Sequence, residues 1–387
     1  MDRRSFLEAA SGFALAGALP GISWAAAPGG NYRRLLILVE LKGANDGLNT
    51  VIPYADPAYR RLRPRIAIER DKVLALSDSA GLHPSLEKLL PAWSGKELAI
   101  VQGIGYPEPN LSHFRSIEIW DTASKSSEYL EEGWLTRAFE KHPTPKGFVA
   151  DAVVVGSNDM GPLAGHSARA IALTNTEQFL RNARLAKADT SATRNPALAH
   201  VLKVERDISD SAGRLNADVA FRTEFPQGPF GNAVKTAAQL AANPAGIAVI
   251  RLTLNGFDTH ANQAGPHANL LRQLGEGLAA LREALIETGR WNSTLVLTYA
   301  EFGRRPQENQ SGGTDHGTAN VHFALGGRVK GGFYGEAPRL DRLDGGGNLA
   351  YAVDFRSIYA TVLGKWWEVD AQAALRGTFA PVEFLKV

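Results

Sequence analysis

Three short runs late in the chain carry side chains that bind metal ions: Gly256-Phe257-Asp258-Thr259-His260, Ala300-Glu301-Phe302-Gly303-Arg304 and Gly313-Thr314-Asp315-His316-Gly317. Carboxylates and imidazoles are oxygen and nitrogen donors for divalent cations. Such a mixed set suits zinc or manganese, with calcium or magnesium the less favoured occupants. Asp258 and His260, two residues apart, could reach one ion, and His316 could join them. Glu301 follows an apolar run, and a buried carboxylate needs a partner. Arg304, three residues on, is one candidate. Each run also has a plainer reading. Asp-x-His is a weak pattern, a histidine in a Gly-rich loop can be a turn residue, and Glu301 with Arg304 can be a structural pair. Together the positions weigh more than any one alone.

Two earlier runs could complete such a site. Gly43-Ala44-Asn45-Asp46-Gly47 is good turn chemistry, yet it places Asp46 just after a strand. Asn110-Leu111-Ser112-His113-Phe114 enters a helix. Ser112 there is either an N-cap or a hydroxyl poised over backbone N–H groups and a positive dipole end, which favours an alkoxide and an anionic substrate.

The elements that must position these residues read as alternating strands and helices. Arg34–Leu41 is a continuous apolar run of the kind a buried parallel strand shows. Leu98–Gln102, Val153–Val155, Ala170–Leu173, Ile247–Leu254, Thr294–Tyr299 and Val321–Leu325 are further strands. Helices are expected over Leu82–Trp93, over Ser112–Thr122 with Phe114, Ile117, Ile119 and Trp120 largely on one face, and over Asn269–Gly289 with a leucine stripe. The segment from about 174 to 243 turns polar and helical and reads as an insertion. The pattern predicts one α/β domain over 28–387, doubly wound, its mostly parallel sheet covered by helices on both faces. Ligands of such sheets sit outside the strands' carboxyl ends, where the first, second and fourth of these motifs fall.

Composition narrows the function. The 387 residues carry a net charge of +2 with both signs interspersed, which argues against nucleic-acid partners. There is no cysteine, so disulfides and thiolate chemistry are excluded. Arg3-Arg4, a mildly apolar stretch and Ala25-Ala26-Ala27 resemble an export leader over 1–27 that engages the twin-arginine translocase. Asp2 and Glu8 depart from the usual leader pattern. The expected destination is the periplasm or the exterior, and no later stretch is long and apolar enough to span a bilayer.

Taken in order after such a leader, GANDGLN, NLSHF, GFDTH, EFGR and GTDHG closely resemble the domain of unknown function 1501 family, from about Leu35 to Gly335. That family is distantly similar to the alkaline phosphatase and sulfatase superfamily of metal-dependent hydrolases and mutases of phosphate and sulfate esters. The resemblance implies an alkaline phosphatase-like fold acting on a small anionic ester. It implies a metal-binding carboxylate at Asp46, a nucleophile at Ser112 and ligands at Asp258, His260 and His316. A carboxylate–histidine pair would fall on Glu301 and Phe302. Phe302 cannot ligate, so a second ion held by Asp46 and Glu301 would need Asp315 or water in its place. His113 and Arg304 would bind the ester's non-bridging oxygens. The competing expectation is an exported accessory or binding protein that keeps the fold without turnover.

Overall fold

A computed structural model describes residues 30–173 and 219–386. The leader and most of the expected insertion lie outside the described residues. Fourteen strands are assigned among those described. In chain order they are β1 (Leu35–Lys42), β2 (Val51–Ile52), β3 (Leu74–Ala75), β4 (Gly81–Leu82), β5 (Leu98–Gly105), β6 (Ala150–Val155) and β7 (Ala170–Leu173). There follow β8 (Ile247–Asn255), β9 (Thr294–Tyr299), β10 (Arg304–Glu308), β11 (Thr314–His316), β12 (Asn320–Leu325), β13 (Gly332–Gly335) and β14 (Val353–Asp354). The longer helices are α1 (His113–Thr122), α2 (Trp134–Lys141), α3 (Pro229–Ala242), α4 (Ala264–Glu287) and α5 (Phe355–Ala360).

The main sheet has the order β13-β5-β12-β9-β1-β8-β6-β7, with β14 also on β5. All neighbours are parallel except β12, which runs against both β5 and β9. β1 shows why both faces are covered. Its side chains alternate with period two, sending Leu35, Ile37, Val39 and Leu41 into one core and Leu36 and Leu38 into the other. Helices α3 and α4 close the first face through Phe230, Val234, Leu271, Leu274 and Leu278. On the opposite face, α1, α2 and α5 pack through Ile119, Trp120, Trp134, Phe139 and Tyr359. The expected doubly wound, mostly parallel α/β fold is the observed one. Helix α3 lies in the tail of the expected insertion, yet it is packed on the sheet as part of the core.

Three details differ from expectation. Leu82–Trp93 is a 3-10 segment, Pro84–Leu89, followed by one helical turn, Leu90–Ser94; Leu86 is non-helical at φ −97° and ψ 16°. Pro91 has no N–H to carry a longer helix through. Phe114, expected on the buried face of α1, is 89% exposed. Glu40, inside the apolar run of β1, is fully buried against Arg251, with 2.7 Å between them. Arg251 in turn donates to the Tyr299 hydroxyl at 2.8 Å.

Candidate metal centre

Four segments meet at the carboxyl edge of the sheet. After β1 the chain turns at Gly43, whose φ is +107° and whose Cβ, if present, would lie 2.5 Å from the Asp258 backbone nitrogen. Only glycine lets the β1 loop and the β8 loop approach this closely. The β8 loop delivers Asp258 and His260. The hairpin β10–β11 follows β9 and pairs Arg304 opposite His316. Gly313 allows that hairpin to press on the β8 loop, since a Cβ there would sit 2.3 Å from the His260 carbonyl carbon. The fourth segment is the start of α1, which brings His113.

Asp258 Oδ1 is the hub. His260 Nε2 lies 3.0 Å from it, and the Nε2 atoms of His113 and His316 each 3.5 Å. His260 and His316 present Nε2 to each other at 2.9 Å. The donor atoms of His113, Asp258 and His316 all lie within 4.8 Å of one another.

The opposite ring nitrogens explain what these atoms can do. His316 Nδ1 faces the Leu111 carbonyl at 2.7 Å. A carbonyl only accepts, so the hydrogen is on Nδ1 and Nε2 of the neutral ring carries a lone pair. His113 Nδ1 meets the Glu301 carboxylate at 2.6 Å, and His260 Nδ1 faces Asp315 at 3.4 Å. Three imidazoles thus have acceptors on their outer nitrogens and turn their inner nitrogens to one carboxylate, as metal-ligating histidines do.

The spacing fits an ion. Bonds of 2.0–2.1 Å to a tetrahedral zinc place its donors about 3.3 Å apart. The observed separations to the hub and between His260 and His316, 2.9–3.5 Å, bracket that value. His113 Nε2 is buried with no hydrogen-bond partner, as a ligand atom awaiting a cation would be. The residues present therefore fit one divalent cation.

The charges agree. Burial pushes the Asp258 pKa up, but the hydrogen bond and charge of Arg304 outweigh it, so the carboxyl stays below its usual range. Burial lowers His316, keeping it neutral. The Glu301 hydrogen bond raises His113.

Several expected roles change. Asp46 is separated from the cluster. Its two oxygens are held by the Arg63 guanidinium at 2.6 and 2.9 Å, and it caps the short helix Gly47–Thr50 by accepting from Leu48 N–H. A buried cation made of protein stands where an ion was expected. Glu301 is behind the cluster, accepting from Gly43 N–H at 3.0 Å while it holds His113. Asp315 likewise orients His260, steadied by Asn309 at 3.0 Å. Phe302 packs its ring against His113 and His316, centroids 4.9 and 4.8 Å away, and fills the place of a further ligand.

Arg304 is not free for substrate oxygens. It is fully buried and donates to the carbonyls of Ala44 (2.8 Å), Thr314 (2.9 Å), Gly43 (2.5 Å) and Phe257 (3.2 Å) and to Asp258 (2.6 Å). It binds three of the four segments together. Ser112 lies at the N-terminus of α1, exposed, with no capping bond from its side chain. Its neighbours Leu111 and His113 both touch the cluster.

Sequence reasoning missed Arg63, Gln263 and His267. Gln263 donates to Asp46 and accepts from Thr259 and Thr314 at 3.1 and 2.7 Å, joining the ion pair to both metal-bearing loops. His267 reaches Asn45 at 2.9 Å, and burial lowers its pKa to about 4. No local pattern marks any of these three; their partners are distant in sequence.

Fold and cluster together define a doubly wound α/β protein with a histidine-rich candidate metal centre on the ligand edge of its sheet. By sequence the chain belongs to the family described as Protein of unknown function (DUF1501), whose model matches residues 33–376. No curated protein matches it. Among solved structures it is similar to a protein in the alkaline phosphatase superfamily from Vibrio parahaemolyticus, at 9% identity and a TM-score of 0.42, covering 89% of this chain and 69% of that one. It is also similar to Ps i-CgsB, at 12% identity and a TM-score of 0.42, covering 89% and 75%. The C-terminal periplasmic domain of EcEptC from Escherichia coli, in complex with Zn, is similar at 10% identity and a TM-score of 0.38, covering 76% and 72%.

Proposed function

We propose that the protein is an exported metal-dependent hydrolase of phosphate or sulfate esters, built around one divalent cation. The observation that carries this reading is the convergence of three imidazole Nε2 atoms on Asp258 beside the helix N-terminus that bears Ser112. His113, Asp258, His260 and His316 are the proposed ligands, with zinc or manganese the favoured ions. When bound, the cation supplies charge neutralisation for the ester oxygens and lowers the pKa of a nearby hydroxyl or water.

The chain's own residues do the rest. The N–H groups at the start of α1 orient the anion. The proposed nucleophile is the Ser112 hydroxyl: its oxygen bonds to phosphorus or sulfur, the ester oxygen takes a proton from water and leaves as the alcohol, and the serine proton passes to solvent. Water then cleaves the serine ester and restores the hydroxyl. Glu301, Asp315 and the Leu111 carbonyl keep the imidazoles in the tautomer that ligation requires. Export by the twin-arginine route belongs to the same proposal and rests on the Arg3-Arg4 leader.

A second reading is an exported binding protein that holds the ion without turnover. The commitment of Arg304 to backbone carbonyls favours it, because that arginine is not left to neutralise a transferring group. Elemental analysis of protein purified without chelator, joined to a screen of phosphate and sulfate esters, separates the readings. Near-stoichiometric metal with turnover supports the hydrolase. Metal without turnover on any ester supports the binding protein, and metal content unchanged in His113→Ala and His316→Ala removes the site.

A further inference from the structure

Phe114 stands out on this surface. At 89% exposed it is the most exposed large hydrophobic side chain among the described residues, and it directly follows His113 and Ser112. Leaving a phenylalanine in water forgoes the gain of burying it, and this ring stands next in sequence to a candidate ligand and two residues from the candidate nucleophile.

The ring is mounted on a rigid support. His113 before it is held by Glu301. Arg115 after it is buried, donates to the carbonyls of Lys125, Ser126 and Glu128, and lies over the Tyr129 ring at 3.8 Å. Ser116 donates to the Glu301 carbonyl and contacts the Tyr106 hydroxyl at 2.6 Å. With both chain neighbours anchored, the Phe114 backbone is pre-organised, and a preformed contact costs less on binding. Side chains in a helix tilt toward its N-terminus. In the first turn of α1 that tilt carries the ring toward the end where an anion would sit. The approach is mixed, with Pro107, Glu108, Pro109 and Asn110 exposed and Leu111 half-buried before Ser112.

We infer that Phe114 is a specificity-determining contact for the organic group of the ester, and that this group is aromatic or otherwise flat and apolar. The inference rests on the anion site of the proposed hydrolase. The anionic end is held at the cluster and the helix N-terminus, and the leaving group lies along the Phe114 ring. Ring stacking and apolar burial set the preference.

Isothermal titration of metal-loaded full-length protein with methylphosphonate and phenylphosphonate tests this without turnover. The parent should bind the phenyl compound about tenfold tighter than the methyl compound. In Phe114→Ala that ratio should fall to about one to twofold, with methylphosphonate affinity unchanged, and Phe114→Trp should restore the preference. Equal binding of the two compounds by the parent, or a phenyl preference that survives Phe114→Ala, overturns the inference and leaves the anion site standing. Failure of either compound to bind the parent overturns both. Sedimentation run in parallel must show the same mass for parent and Phe114→Ala; a parent dimer that the substitution splits would assign the ring to a contact between copies and overturn the inference.

Discussion

Replacing Asp46 with asparagine decides between two jobs for the carboxylate that ends the first strand. As an ion-pair partner it neutralises Arg63, a fully buried guanidinium that also donates to Asn49 (2.7 Å) and to the carbonyls of Pro306 (2.9 Å) and Arg305 (3.1 Å). Those other bonds keep the arginine in place, so the variant leaves a buried cation without its counter-charge. Breaking a buried pair in this way costs about 3–5 kcal/mol. For a chain of 387 residues, an unfolding entropy of about 2.1 cal/mol/K per residue gives about 0.8 kcal/mol/K, so the midpoint should fall by about 4–6 °C. The sign of the pH dependence follows from the same contacts. Burial pushes the Asp46 pKa up, but Arg63 outweighs it and the folded value lies below the ordinary one. The stabilisation is therefore complete above the unfolded pKa of about 3.9 and is lost as pH falls through the lower folded value. Calorimetry from pH 7 downward should show a constant gap between parent and variant, closing only in strong acid. Elemental analysis should find the same metal per chain in both. Loss of metal with an unchanged melting temperature would refute this account and make Asp46 a ligand.

Other outcomes follow from the same geometry. Glu301→Gln keeps the size of the side chain but weakens its hold on His113 Nδ1, so metal affinity measured by competition with a chromogenic chelator should drop about 10–100-fold. Ser112→Asn should abolish ester hydrolysis while moving the melting temperature by less than about 2 °C, since the Ser112 side chain makes no capping bond to lose; full activity in that variant would shift attack to a water. Gly43→Ala should unfold at markedly lower temperature in a thermal melt, because its φ of +107° and the 2.5 Å approach to Asp258 leave no room for a methyl group. Replacing Arg3 and Arg4 by lysine should leave precursor in the cytoplasm, and fractionation finding mature protein outside would rule out the twin-arginine route.

The legible part of this protein was its sheet. Ala170–Leu173 and Thr294–Tyr299 coincide with strands read from apolar runs bounded by turn residues, and β1 and β8 differ by a residue at their ends. A strand buried on both faces has no alternative use for such a run. The motifs also marked the right loops, because Asp258, His260 and His316 do meet. Their division of labour was hidden. Arg304 and Glu301 looked like partners three residues apart, but the pairs formed are Arg304 with Asp258 and Glu301 with His113. Tertiary approach decides that, and most of the Arg304 contacts are backbone carbonyls, which no side-chain pattern encodes. Phe114 was read as core because helical periodicity describes a face without saying how far the sheet extends beneath it. Helix α4 begins at Ala264, ahead of the leucine stripe that signalled it, which is how His267 escaped notice.

The reversed strand β12 has a consequence for how the site is inherited along the chain. A parallel return from β9 would require a crossover of about a dozen residues or more carrying the chain back to the far edge of the sheet. Because β12 runs antiparallel beside β9, the chain leaves the sheet at Tyr299, makes the β10–β11 hairpin and re-enters at Asn320 without quitting the ligand edge. Glu301, Phe302, Arg304, Asp315 and His316 are therefore one contiguous cassette, clamped at both ends by adjacent strands. The tip near Asn309–Gly313 is tied to the β8 loop: Asn309 donates to the His260 carbonyl, and the carbonyls of Ser311 and Gly312 accept from the N–H groups of Asn262 and Gln263. A change of length at that tip would therefore also move the groups that orient His260.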